Sequence, residues 1–124
     1  MLGHLGERLA AAHLQRLGYE VLAHNVRTRH GELDLIAFGH QTLVFAEVKS
    51  RTAPRAGQRI AAEFEPLAGL RPRQRARQRR LALAWLAEQR TARPRAAAIR
   101  FDALGVLVDR EGRLLRLDHI EGAW

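Results

Sequence analysis

Cysteine is missing from this 124-residue chain. That removes a disulfide framework and any thiolate zinc site, and with them the small secreted scaffold as a class. Long apolar runs are missing too: nothing approaches the roughly 18 consecutive apolar residues of a membrane-spanning helix. The N-terminus, Met1-Leu2-Gly3-His4, lacks the basic-then-apolar pattern of a secretion signal. Serine occurs once, at Ser50, and there is no G-x-S-x-G elbow, phosphate-cradling glycine loop or dinucleotide fingerprint. A hydroxyl nucleophile and a nucleotide cofactor are therefore not expected. The six histidines show no metal-ligand spacing and read individually as surface or packing residues. Lysine is the last scarcity: of 21 basic residues, 20 are arginine and one is Lys49.

What is present is a 47% hydrophobic chain with a net charge of +8. That apolar share argues against disorder, and the length suits one domain, residues 1–124. A basic surface suits a polyanion, nucleic acid before an anionic membrane. The expectation is a cytoplasmic globular domain with no membrane partner.

Residues 5–17 read as a helix, with Leu9, Ala10, His13, Leu14 and Leu17 on one side and Gly18 as its stop. Glu7, seven positions before Leu14, projects only about 20° away from it and can reach inward. Strands are predicted over 19–26, 33–38 and 42–49, the last two joined by a tight turn at Gly39-His40. The third is apolar on both faces until its end, as befits a central strand. Residues 51–71, punctuated by Pro54, Gly57, Pro66 and Gly69, read as a mobile loop or insertion. A helix over 72–89 begins basic and ends apolar, with Leu81 and Trp85 as core residues. Short strands follow at 99–101, 105–108 and 114–117, and Asp102 reads as a structural residue after a strand. The order predicts a single-domain α/β fold, a mixed sheet flanked by helices.

Two acidic clusters carry the chemistry. Gly31-Glu32-Leu33-Asp34 opens the second strand, and Glu47-Val48-Lys49 closes the third. Alternation along a strand turns Glu47 and Lys49 the same way, and antiparallel pairing brings Asp34 near Glu47. Taken singly, E-x-K is a surface ion pair, Asp34 a strand-end residue and Glu32 a solvated one. Taken together on so apolar a strand, the charges need partners or a metal. Mg²⁺ favours carboxylate oxygens, and a lysine beside it can hold water or neutralise developing charge.

The stretches G-E-R-L-A (6–10), L-G-Y-E-V-L-A-H-N-V-R (17–27), G-E-L-D-L-I-A (31–37), L-V-F-A-E-V-K-S-R (43–51), R-Q-R-R-L (77–81), R-F-D (100–102) and H-I-E-G-A-W (119–124) resemble the YraN-type family of bacterial proteins, UPF0102. That family belongs to the PD-(D/E)xK group of restriction-endonuclease-like folds. The resemblance implies Asp34 and Glu47 as ligands of Mg²⁺ or Mn²⁺ and Lys49 as the catalytic lysine. Glu7 resembles the helix-one glutamate that assists the metal in archaeal Holliday-junction resolvases, and the Val48 carbonyl is a further ligand of the expected set. Arg77 stands where the family usually has lysine.

Residues 71–80 hold six arginines in ten positions. The segment cannot be a core face. Arg73, Arg77 and Arg80 share one side, and with Arg51 they read as phosphate contacts, which give affinity without sequence readout. The leading reading is a metal-dependent endonuclease acting on DNA, with branched or structured DNA suggested by fold analogy alone. The rivals are a nucleic-acid-binding module of the same fold without turnover, and a basic adaptor for an acidic protein. A homodimer is left open.

Overall fold

The computed structural model describes residues 2–28, 30–53, 72–88 and 95–123. Most of the segment expected to be a mobile loop or insertion (from residue 54 to 71) lies outside the described residues, as do Arg29 and Trp124. The elements are α1 (Leu2–Arg16), β1 (Glu20–Thr28), β2 (Gly31–Gly39), β3 (Thr42–Thr52), α2 (Pro72–Glu88), β4 (Ala98–Val108) and β5 (Leu114–Ile120). The strands form one sheet in the order β1-β2-β3-β4-β5. β3 and β4 run parallel, and every other neighbouring pair is antiparallel. This is the restriction-endonuclease-like α/β architecture expected.

The two helices cover opposite faces, and β3 shows why. Val44 and Ala46 pack with Ala10 and Leu14 of α1, while Leu43 and Phe45 pack with Leu81, Ala82, Trp85 and Leu86 of α2. A strand buried on both sides has to be apolar at both parities. α1 ends where Gly18 adopts φ 98° and Tyr19 N–H donates to the Leu14 carbonyl at 3.0 Å, an αL termination that glycine adopts without strain. Leu17, placed by spacing on the packing side, is 43% exposed, because the helix has already ended at Arg16. The β2–β3 turn is tighter still. His40 and Gln41 both have positive φ, 50° and 57°, between the paired Gly39 and Thr42, as a type I′ hairpin requires.

Two expectations are corrected. The short strands at 99–101 and 105–108 are one 11-residue strand, β4. Asp102, expected after a strand, sits inside it, opposite Ala46 of β3. A charged residue looks like a break in sequence, but its partners make it compatible with a buried ladder.

The sheet parts at one place. β2 and β3 are paired from Gly39↔Thr42 only as far as Leu35↔Ala46. Beyond that rung β3 stays with β4 out to Thr52↔Val108, and β2 stays with β1 out to Gly31↔Thr28. The two strand pairs diverge, and the candidate site lies at the fork.

Candidate functional site

Asp34 is the first residue of β2 past the last shared rung. Its Oδ2 accepts the Val48 N–H at 2.8 Å, a donor that a further β2–β3 rung would otherwise have used. The side chain thus takes the place of backbone pairing and holds the fork open. The pleat of β2 changes here as well: Leu35 belongs to the α1-side core and Leu33 to the α2-side core.

Glu7 reaches the same place from above. A Cβ on Gly6 would collide with the Ser50 hydroxyl, so glycine is what lets the start of α1 lie against β3. The next residue is then carried over the fork. Oxygens of Glu7, Glu32 and Asp34 lie within 4.8 Å of one another. None of the three forms an ion pair among the described residues. Carboxylates this close repel one another, and Asp34 carries a part of that repulsion. Its pKa is pushed up to about 7 by burial and then by the charge of Glu47, with Glu7 and Glu32 adding to the rise and the Val48 N–H opposing it. The donor set is all oxygen and under-neutralised, so it fits a hard divalent cation.

Glu47 and Lys49 stand beside this cluster. Glu47 is 5% exposed. Its Oε1 accepts from Gln74 Nε2 at 2.7 Å and pairs with Lys49 Nζ at 3.2 Å. The expected same-side placement of these two residues is what the strand provides. Val48 contributes its N–H to Asp34. Glu32, whose simplest reading was a solvated residue, instead joins the acidic group, half-buried.

α2 supplies what the sequence reading missed. Gln74 and Gln78, one helical turn apart, face the fork. Gln78 is buried and donates to the Glu32 carbonyl at 3.2 Å. The arginine-rich stretch therefore does present a packing side, made of glutamine amides rather than apolar groups, which hydrophobic periodicity cannot register. Arg73, Arg77 and Arg80 are exposed, as is Arg51 at the end of β3, and the Arg77 stem lies close to Gly31. Leu81 and Trp85 are buried core. A cavity of about 510 Å³ opens between α1 and β1, with Glu7 on its wall together with Arg8, His24, Asn25 and Leu35.

A second polar centre lies in β4. Asp102 is 0% exposed, and it accepts from Arg100 Nε and Nη2, each at 2.8 Å, and from the Gly122 N–H at 3.1 Å. His119 Nε2 lies 2.8 Å from its Oδ2, and a carboxylate can only accept, so Nε2 donates. In the neutral ring Nδ1 is then left to accept from His13 Nε2 at 3.1 Å. Two histidines that read as unrelated are thus joined across α1 and β5. Burial works to raise the Asp102 pKa, but the bonds from His119, Arg100 and Gly122 outweigh it and hold the carboxyl below its usual range.

Comparison with known proteins agrees with the resemblance in the motifs. The family model described as "Uncharacterised protein family UPF0102" matches residues 6–106. A UPF0102 protein of Acidothermus cellulolyticus is 41% identical over 99% of this chain and 92% of its own length. UPF0102 proteins of Frankia casuarinae and of a Parafrankia species are 44% and 45% identical, each over 99% of this chain and 95% of the relative. With full-length relatives at this identity and a family match that spans the fork, most of α1, all of α2 and most of β4, the chain belongs to the UPF0102 family.

Proposed function

We propose that this chain is a Mg²⁺- or Mn²⁺-dependent endonuclease-like protein that binds DNA and cleaves its phosphodiesters. One observation carries the reading: carboxylates from α1 and β2 converge within 4.8 Å, beside a lysine held by a buried glutamate. Glu7, Glu32 and Asp34 would hold the ion, with Glu47 adjoining Asp34 and the Val48 carbonyl completing the expected set. When bound, such an ion supplies Lewis acidity at the phosphate and a more acidic water.

The chain's own groups do the rest. Glu47, fixed by Gln74, keeps the Lys49 ammonium over the site. The lysine side chain is one-third exposed, and its ammonium can orient water or neutralise charge on a phosphate oxygen. Arg51, Arg73, Arg77 and Arg80 hold the backbone through charge, so affinity falls steeply with salt.

The test is cleavage of junction, flap and duplex DNA with Mn²⁺, comparing wild type with Glu47→Ala and Lys49→Ala. Each variant is expected to lose at least ~100-fold in rate, the scale of one electrostatic or acid–base group. Equal rates in all three proteins overturn the site. Salt-dependent DNA binding without any Mn²⁺ site in a titration indicates the binding module without turnover. DNA affinity unchanged when Arg73, Arg77 and Arg80 are neutralised indicates the adaptor.

A further inference from the structure

β5 is the last strand of the sheet among the described residues, and its outer edge carries a pattern the proposed chemistry does not use. Edge strands present unpaired N–H and C=O groups, and proteins usually blunt them with lysine, proline or bulges. β5 has neither lysine nor proline in its seven residues, and its one register break falls at Leu115, which leaves Arg116–Ile120 a regular edge. Leu114, Leu115 and Ile120, exposed by 41%, 52% and 48%, are three of the six large hydrophobics exposed among the described residues. Between them Arg116 and Asp118 lie half-exposed, with Arg116 Nε 3.1 Å from Asp118 Oδ2 along the strand.

Around Leu117 the regular part of the strand reads the same in both directions: leucine at the centre and a charge on each side, Arg116 before it and Asp118 after it. We propose that β5 pairs antiparallel with β5 of a second copy about a two-fold axis at Leu117, joining two five-stranded sheets into one. In that register Arg116 meets the partner's Asp118 and Leu117 meets its own copy, all within the regular part of the strand from Arg116 to Ile120. Directly opposed pairs of this kind are the units that stabilise a sheet. The alternatives are worse. Slipping one residue sends every side chain to the other face. Centring on Arg116 or on Asp118 keeps the faces but opposes two like charges, which destabilises a pair. The charge pattern thus selects both the occupant and its register. β2, which carries Glu32 and Asp34, lies three strands away, so the pairing stands or falls independently of the metal site.

The test is the solution mass of the full chain across a concentration series, by light scattering or sedimentation. Wild type is expected to approach twice the 14.0 kDa chain mass. Arg116→Asp alone and Asp118→Arg alone are expected to raise the dimer dissociation constant at least tenfold. The combined variant Arg116→Asp/Asp118→Arg restores the complementary pattern in reverse and is expected to recover the dimer. Because the chain has no cysteine, Leu117→Cys offers a second measurement: oxidation is expected to cross-link it to a dimer, while Leu83→Cys on α2 stays monomeric. A wild type that is monomeric at every concentration overturns the proposal and leaves the edge to another occupant. A folded double variant that fails to recover the dimer overturns the register.

Discussion

Asp34 and Asp102 are two withdrawn aspartates of one sheet, each set beside the same rung, since Leu35 and Asp102 both pair with Ala46. Their surroundings are opposite. Asp102 is fully enclosed and saturated by an arginine fork, a histidine and a backbone N–H. Asp34 has one backbone N–H and three other carboxylates for electrostatic neighbours. Burial alone therefore does not mark a functional carboxylate. Asp102 is buried because the fold completes its hydrogen bonds. Asp34 is only half-buried, with other carboxylates around it rather than cations, the condition under which a bound cation contributes most.

The largest expected effect tests the saturated side. Asp102→Ala strips partners from Arg100 and His119 and should cost about 3–5 kcal/mol, the usual penalty for breaking a buried charge network. Denaturant unfolding measures it. A loss no greater than that of a surface substitution would break the comparison.

Asp34→Asn should act the other way. The folded-state pKa of Asp34, about 7, lies above its ordinary value of 3.8, so the native state binds the extra proton between those values. Stability from this group is complete below pH 3.8 and drains away as pH rises through 7. Asparagine can still accept from Val48 but carries no charge. In EDTA at pH 8 the variant should be more stable than wild type by on the order of 2 kcal/mol. Mn²⁺ should then raise the melting temperature of wild type and not of the variant. A variant less stable than wild type in EDTA at pH 8 would put Asp34 in the same class as Asp102.

Gln78→Ala removes a buried amide that is bonded to the Glu32 carbonyl and should cost about 1–2 kcal/mol. It sharpens the comparison if Mn²⁺ affinity falls along with stability, since Glu32 then depends on α2 for its placement. The smallest effect concerns His13, whose pKa is lowered by burial and then by the charges of His119 and Arg16. Its contribution is intact above pH 6.5 and is lost as pH falls below that value. His13→Gln should flatten that acid-side slope in a pH series of unfolding curves.

Much of the frame was legible in the residues. The two-sided apolar run of β3, the hairpin turn, the αL stop at Gly18 and the core role of Leu81 and Trp85 all follow from periodicity and turn chemistry. So did the pairing of Glu47 with Lys49, which needs only strand alternation. Glu32 was half legible: alternation sets it on the same side of β2 as Asp34, but nothing local tells that α1 brings Glu7 to meet it rather than leaving it to solvent. Gln74 and Gln78 were hidden by the arginines around them: an amide facing a polar site leaves no apolar stripe. Asp102 looked like a strand end, since nothing local announces that, beside Arg100, its partners His119 and Gly122 come from β5 and the turn after it. The joining of His13 to His119 spans 106 positions of sequence, beyond any spacing rule.

The fork between β2 and β3 has a mechanical consequence. β3 and β4 are paired along eleven residues each and form a fixed jaw that carries Glu47 and Lys49. The far end of the β1–β2 hairpin is the opposing jaw and carries Glu32. Across the gap it is tied by the Asp34–Val48 bond and, through α2, by the Gln78–Glu32 bond. The gape of this calliper sets the distance between the two halves of the acidic site. A substitution at Gln78 would therefore alter the span between Glu32 and Glu47 without touching either carboxylate.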